Sequence, residues 1–125
     1  MIIKKKTFLK FPTFEDNRGK LTVIERAIPF RIERIYYIYK TNQLDRGYHR
    51  GYHSHIKTSQ VALVLAGSCK ITFSEGNIKK DYTLKKPDEG LLILPGEFHW
   101  MSDFSDDCVL MVIASHGYDK SDYVY

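Results

Sequence analysis

The chain is a succession of short apolar and aromatic runs, each ended by a Gly, Pro or Asn turn. This punctuation constrains the fold more than any other feature. Gln60–Ala66 is almost continuously apolar, as a strand buried on both faces would be. Ala66-Gly67-Ser68 turns the chain, residues 69–73 return, and Glu75-Gly76-Asn77 is a hairpin signal. Ile78–Leu84 alternates apolar and polar, 91–94 is a short run stopped by Pro95-Gly96, and 98–101 and 108–114 complete the set. Upstream, 20–25 reads as a strand entered through the turn 15–19. Residues 32–39 read as another, with Arg34, Tyr36 and Ile38 on one face and Ile35, Tyr37 and Tyr39 on the other. No segment keeps a helical period over three turns. The expectation is an all-β sandwich or barrel, with residues 1–125 forming one domain.

Composition narrows the partners only a little. A formal net charge of +4 suits an anionic small molecule as well as it suits nucleic acid, and decides nothing alone. Lys4-Lys5-Lys6 reads as a solvated N-terminal edge. Cys69 and Cys108 lie in apolar runs rather than in a CxxC pair, so buried, reduced thiols are expected rather than a disulfide. Met1-Ile2-Ile3 runs straight into lysines without a signal-like segment, and nothing approaches the roughly 18 apolar residues of a membrane span. A soluble cytoplasmic protein with no membrane or nucleic-acid partner is expected. The echo of Arg46-Gly47-Tyr48-His49 in Arg50-Gly51-Tyr52-His53 is too short to define a repeat architecture.

Arg50-Gly51-Tyr52-His53-Ser54-His55 carries the chemistry. On a strand, His53 and His55 share one face, and Tyr52 and Ser54 the other. Two imidazoles on one wall can hold a metal or move protons. Paired histidines are an expensive filling for a core that does not use them.

Gly51, His53, His55, Gln60 and Gly67, followed by Gly90, Pro95-Gly96 and His99, resemble in order and spacing the two signatures of the cupin superfamily. That resemblance implies a double-stranded β-helix, or jelly-roll barrel. Two histidines, a carboxylate and a third histidine would meet inside it, and here His53, His55, Gln60 and His99 take those places. Gln60 departs from the pattern. A neutral amide is a poor ligand for a transition metal, and without the carboxylate nothing offsets the ion's charge. No metal or other cofactor is therefore expected, although three imidazoles alone can still bind zinc.

A second resemblance covers almost the whole chain. Asp16-Asn17-Arg18-Gly19-Lys20-Leu21, Ile28-Pro29-Phe30, Arg34-Ile35-Tyr36-Tyr37, Arg50–His55, Gly67-Ser68, Asp103-Phe104-Ser105, Ala114-Ser115 and Tyr118-Asp119-Lys120-Ser121-Asp122-Tyr123 follow one another as in the sugar 3,4-ketoisomerases. Those are small metal-free cupins, usually dimers, that act on dTDP-4-keto-6-deoxyglucose in making dideoxy-aminosugars for bacterial surface glycans such as O-antigen, lipopolysaccharide and S-layer glycan. The resemblance implies His53 as the base that takes the C3 proton, and His55 as the group that orients it or shuttles protons to oxygen. It places Tyr36 at the same site, where a phenol can donate to a developing oxyanion; the plain alternative is a core aromatic. Arg50, Lys57 and Arg34 are candidate diphosphate ligands, against a plain solvated role for Lys57 and Arg34. Arg18 and His99 match the members that give the galacto product, although Arg18 also reads as a surface turn residue. Ile56 stands where lysine is common, and Phe98 where tryptophan is usual.

Besides a metal-dependent cupin, two other readings stay open. A 3,5-epimerase would use the same barrel, with a histidine base partnered by an aspartate, and no such dyad is visible in the sequence. A non-catalytic sugar-binding cupin is the other. Dimerisation through an exchanged N-terminal strand follows from family analogy.

Overall fold

Two five-stranded antiparallel sheets face each other, and a two-stranded hairpin pairs with neither. This computed structural model describes residues 5–41 and 49–125. The strands are, in chain order, β1 (Leu9–Lys10), β2 (Thr13–Asp16), β3 (Gly19–Thr22), β4 (Arg34–Ile38), β5 (Arg50–His55), β6 (Gln60–Ala66), β7 (Cys69–Glu75), β8 (Ile78–Leu84), β9 (Glu89–Ile93), β10 (His99–Ser102), β11 (Val109–Ala114) and β12 (Tyr123–Val124). One sheet runs β1-β9-β6-β11-β4 and the other β12-β5-β10-β7-β8, while β2 pairs with β3 alone. This is the jelly-roll barrel that the cupin resemblance implies.

The core follows from the strand patterns. Ala62 and Val64 of β6 face the other sheet with Ile71, Phe73, Leu91, Ile93, Leu110 and Val112. Val61 and Leu63, from the same strand, pack on the opposite side with Phe11, Ile28 and Ile113, where Ile24, Ala27 and Phe30 lie over them. The apolar run of β6 thus marks a strand covered on both faces from Gln60 to Val64, with Leu65 and Ala66 emerging into solvent at its end. Gly67, at φ +67°, turns the chain into β7. A Cβ there would strike Ser105 Oγ, and would sit 2.6 Å from Asp107 Oδ1 and 2.8 Å from Cys108 Cα.

The structure departs from the sequence reading in three places. The strand expected at 20–25 is the shorter β3, paired with β2, and β1 and β2 are strands that the sequence pattern does not predict. Thr13–Asp16 is exposed throughout and has no apolar alternation to betray it. Lys6 is not solvated. Its side chain is 10% exposed, its ammonium lies 2.6 Å from Glu97 Oε1 and also donates to the Leu92 carbonyl, and it sits over the Phe73 ring. Lys4 and the first three residues of the Arg46–His49 echo lie outside the described residues. Cys69 and Cys108 are buried and free, as expected. Among the described residues no helix is long and apolar enough to cross a membrane.

Candidate active site

The histidine strand is bulged. Its ladder with β10 pairs His53 with His99, then Gly51 with Trp100 and Arg50 with Met101, so Tyr52 is one residue too many. Gly51 (φ +91°) and Tyr52 (φ +53°) absorb the kink. A Cβ on Gly51 would come within 3.3 Å of Met101 Sδ and 3.4 Å of Trp100 Cα. The extra residue resets the alternation. An unbroken strand would put Arg50 on the face of Tyr52 and Ser54; the bulge pairs it with buried Met101, on the face of His53 and His55. Tyr52 turns outward instead, 5.0 Å from the Phe98 ring and 5.1 Å from Trp100.

Three imidazoles meet on this wall. Ring centroids are 4.8 Å apart for His53 and His55, 5.3 Å for His53 and His99, and 6.4 Å for His55 and His99. Each ring is oriented through Nδ1. His53 Nδ1–H donates to the Gly51 carbonyl at 2.9 Å and His99 Nδ1–H to the Glu97 carbonyl at 2.9 Å. A carbonyl can only accept, so the remaining nitrogen of each neutral ring, Nε2, carries a lone pair. Burial lowers the pKa of His53, and the neighbouring His55 adds to this. Burial pushes His99 down to about 4 against the opposing Glu97 hydrogen bond, helped by His53, His55 and Lys6. Both rings are therefore neutral near pH 7, and His53 is a ready base.

His55 is held differently. Its Nδ1 is 2.9 Å from Asp122 Oδ2, and both side chains are buried. Asp122 ends a 3-10 turn, Lys120–Asp122, capped by Asp119. Burial acts to raise the Asp122 pKa, but hydrogen bonds from the Thr58 hydroxyl, the Lys57 backbone N–H and His55 outweigh it and hold the carboxyl below its ordinary value. The chain then enters β12, where Tyr123 pairs with His55. The Tyr123 ring lies 4.6 Å from His55 and 4.9 Å from His53. The sequence reading assigned no role to Asp122 or Tyr123. Their only signal was the 118–123 motif, and sequence distance hides the contact.

The other sheet supplies the facing groups. Gln60 on β6 is buried and donates Nε2–H to Tyr36 Oη at 3.3 Å. Burial raises the pKa of Tyr36, with Tyr123 adding to the rise while Arg34, Gln60 and Arg50 oppose it, so the phenol keeps its proton. Arg34 lies over the Tyr36 ring at 4.6 Å. Gln60 Oε1, His55 Nε2 and His99 Nε2 are buried with no hydrogen-bond partner among the described residues. No three His, Cys, Asp or Glu side chains among the described residues are grouped to hold a metal ion. The Gln60 amide, already turned to Tyr36, does not replace a carboxylate ligand.

Two of the expected site residues stand elsewhere. Arg18 is in the β2–β3 turn, its side chain 86% exposed and 2.6 Å from Asp16. Lys57 Nζ is 2.8 Å from Asp119 Oδ2, a half-exposed pair that ties the C-terminal turn to the end of β5. The other six, His53, His55, His99, Arg50, Tyr36 and Arg34, are brought together.

The profile of the FdtA family (WxcM-like, C-terminal) matches residues 4–125. The chain is 44% identical over 118 residues to the TDP-4-oxo-6-deoxy-alpha-D-glucose-3,4-oxoisomerase of Aneurinibacillus thermoaerophilus, covering 93% of this chain and 83% of that one. It superposes on QdtA, a sugar 3,4-ketoisomerase from Thermoanaerobacterium thermosaccharolyticum solved in complex with TDP. The TM-score is 0.90 at 42% identity, over 98% of this chain and 89% of that one. A dTDP-4-dehydrorhamnose 3,5-epimerase from Bacillus anthracis shares the fold at TM-score 0.77 but only 15% identity, over 94% of this chain and 76% of that one. The His55–Asp122 pair overturns one expectation: a histidine–aspartate dyad is present, 67 residues apart, so its absence cannot be held against an epimerase. The identities decide the matter instead: the chain belongs to the FdtA family of sugar 3,4-ketoisomerases, a family of isomerases.

Proposed function

We propose that the chain converts dTDP-4-keto-6-deoxy-D-glucose to a dTDP-3-keto-6-deoxyhexose without a cofactor. One observation carries this reading: His53 presents an unprotonated Nε2 on a wall of buried acceptors, opposite a protonated Tyr36. His53 takes the C3 proton, and the electron pair left behind forms the C3–C4 double bond of an enediolate. Tyr36 donates to the C4 oxygen as it gains charge. Collapse the other way releases the O3 proton, makes C3 the carbonyl and puts a proton on C4. The net change moves one hydrogen from C3 to C4 and one from O3 to O4, and every side chain ends as it began. His55 serves the oxygen protons. Arg50 and Arg34 hold the diphosphate. Lys57, held in a half-exposed pair with Asp119, is the lesser candidate for that set.

His99 and Arg18 are assigned to the choice of C4 face, with the galacto product favoured. Arg18 sits in the turn of a hairpin that pairs with no other strand, exposed and bonded to Asp16 beside it. Phe14 and Leu21 of that hairpin are 62% and 64% exposed, and Ile35 and Tyr37 on the outer face of β4 are exposed as well. Such apolar surface fits a homodimer in which the hairpin packs on a second copy and carries Arg18 to the partner's site. The free thiols fit a cytoplasmic enzyme, and dideoxy-aminosugar synthesis for surface glycans is its setting.

The test is to follow dTDP-4-keto-6-deoxyglucose by NMR in deuterated water. A 3-keto product carrying deuterium at C4 is expected, with its configuration giving the axial or equatorial outcome. Exchange at C3 and C5 with inversion would make the chain an epimerase, and an unchanged sugar would leave only a binding module.

A further inference from the structure

Of the three imidazoles on the inner wall, only His55 is held by a side chain. His53 and His99 donate to the backbone carbonyls of Gly51 and Glu97, each two residues back along the chain. His55 donates to a carboxylate 67 residues away. That carboxylate is 4% exposed, and a buried carboxylate costs several kcal/mol unless it is paired and hydrogen-bonded. Asp122 is fully met. The Lys57 backbone N–H reaches Oδ1 at 2.7 Å, and the Thr58 hydroxyl and His55 Nδ1–H both reach Oδ2.

Anchoring the tail does not require this arrangement. The 3-10 turn is already tied down by Ile56 N–H to the Asp122 carbonyl at 2.9 Å, by the β12–β5 pairing and by Lys57 with Asp119. What the buried carboxylate adds is control of one ring. With Nδ1–H pinned, Nε2 is the nitrogen left to the site, and it has no partner among the described residues. A proton arriving there makes an imidazolium, and Asp122 supplies the matching negative charge at contact distance.

We propose that Asp122 is a positioning residue for the isomerisation: together with Thr58 it fixes the tautomer and rotamer of His55, so that Nε2 can take and return the proton that travels between the sugar oxygens. The C-terminal turn is thus part of the catalytic machinery. This rests on the ketoisomerase reading above. It goes further in dividing the labour: His53, held by a backbone carbonyl, works on carbon, and His55, held by a carboxylate, works on oxygen.

The test compares wild type, Asp122→Asn and Thr58→Val. Two readouts are used: steady-state turnover of dTDP-4-keto-6-deoxyglucose, and proton and nitrogen-15 NMR of the histidine rings in the substrate-free protein. Wild type should show one far-downfield Nδ1 proton, the mark of an imidazole bound to a carboxylate, and Asp122→Asn should lose it. In that variant kcat should fall about 100-fold or more with KM within about threefold of wild type. Unchanged kcat, or a downfield proton that persists, overturns the proposal. Should Asp122→Asn fail to fold, Thr58→Val decides. A shifted resonance with kcat several-fold lower, restored by Thr58→Ser, supports the proposal, and an unmoved resonance with wild-type kcat overturns it. If wild type itself leaves the sugar unchanged, the functional reading fails, while the ring signals still report whether Asp122 holds His55.

Discussion

The wall of β5 and β10 and the hairpin of β2 and β3 are both short antiparallel pairs, yet they stand at opposite extremes. On the wall, His55, His99 and Met101 are buried, and each imidazole has its Nδ1 committed to a fixed acceptor. On the hairpin nearly every residue is exposed, and among the described residues its cations are met by neighbours on the same hairpin, Arg18 by Asp16 and Lys20 by Glu15. Surface pairs of that kind hold a side chain weakly. The difference separates what one chain completes from what it leaves to a second surface. A preorganised base needs a dry, bonded setting, which the barrel builds by itself. A residue that must reach another copy has to remain solvated until it docks.

The sharpest way to break the comparison is at the wall's working atom. His53→Asn keeps a polar side chain on β5 but removes the titrating nitrogen. Turnover of dTDP-4-keto-6-deoxyglucose should fall by about 10²–10⁴-fold, with the melting temperature little changed. An active variant would return the wall to the status of a core filling.

The next effect is on stability. His99 is 0% exposed and titrates at about 4 in the folded protein, below its ordinary value of 6.5. As pH falls from 6.5 toward 4, the unfolded chain takes up a proton that folded His99 refuses. Stability is therefore fully present above the upper value and declines through that window, by up to roughly 3 kcal/mol. Urea unfolding at several pH values should show this slope, and His99→Asn should reduce it to the smaller part that His53 contributes. Titration of the exposed hairpin carboxylates should contribute far less.

The smallest effect belongs to the hairpin. Leu21→Glu places a charge on surface that we assign to a second copy. Sedimentation should show the dimer weakened by about tenfold or more, since a charge buried without a partner costs at least 1–2 kcal/mol. The barrel's unfolding midpoint at pH 7 should hold. A dimer that survives unchanged would cut Arg18 off from the partner's site and leave it a turn residue.

Much of this was legible because strand physics is local. The burial of β6, the turn at Gly67 and the buried thiols follow from apolar runs and breaker residues, while the meeting of His53, His55, Gln60 and His99 is what the cupin resemblance implies. β2 was not legible, because an exposed polar strand has no periodicity to read. Lys6 differs from its expected solvated role because a lysine run looks solvated until a tertiary partner, here Glu97, appears 91 residues away.

By itself, then, the sequence determined an all-β sandwich or barrel and a wall with two histidines two residues apart. Side-chain alternation and chain reversal are decided within a few residues, so they can be read along the chain. Only the tertiary structure decided the rest. The bulge at Tyr52 put Arg50 on the histidine face, against strict alternation. The closing of β12 on β5 set Asp122 beside His55. Register between strands and contact between distant segments are settled by what packs and bonds across space, and that is how two similar histidines come to be held in two different ways.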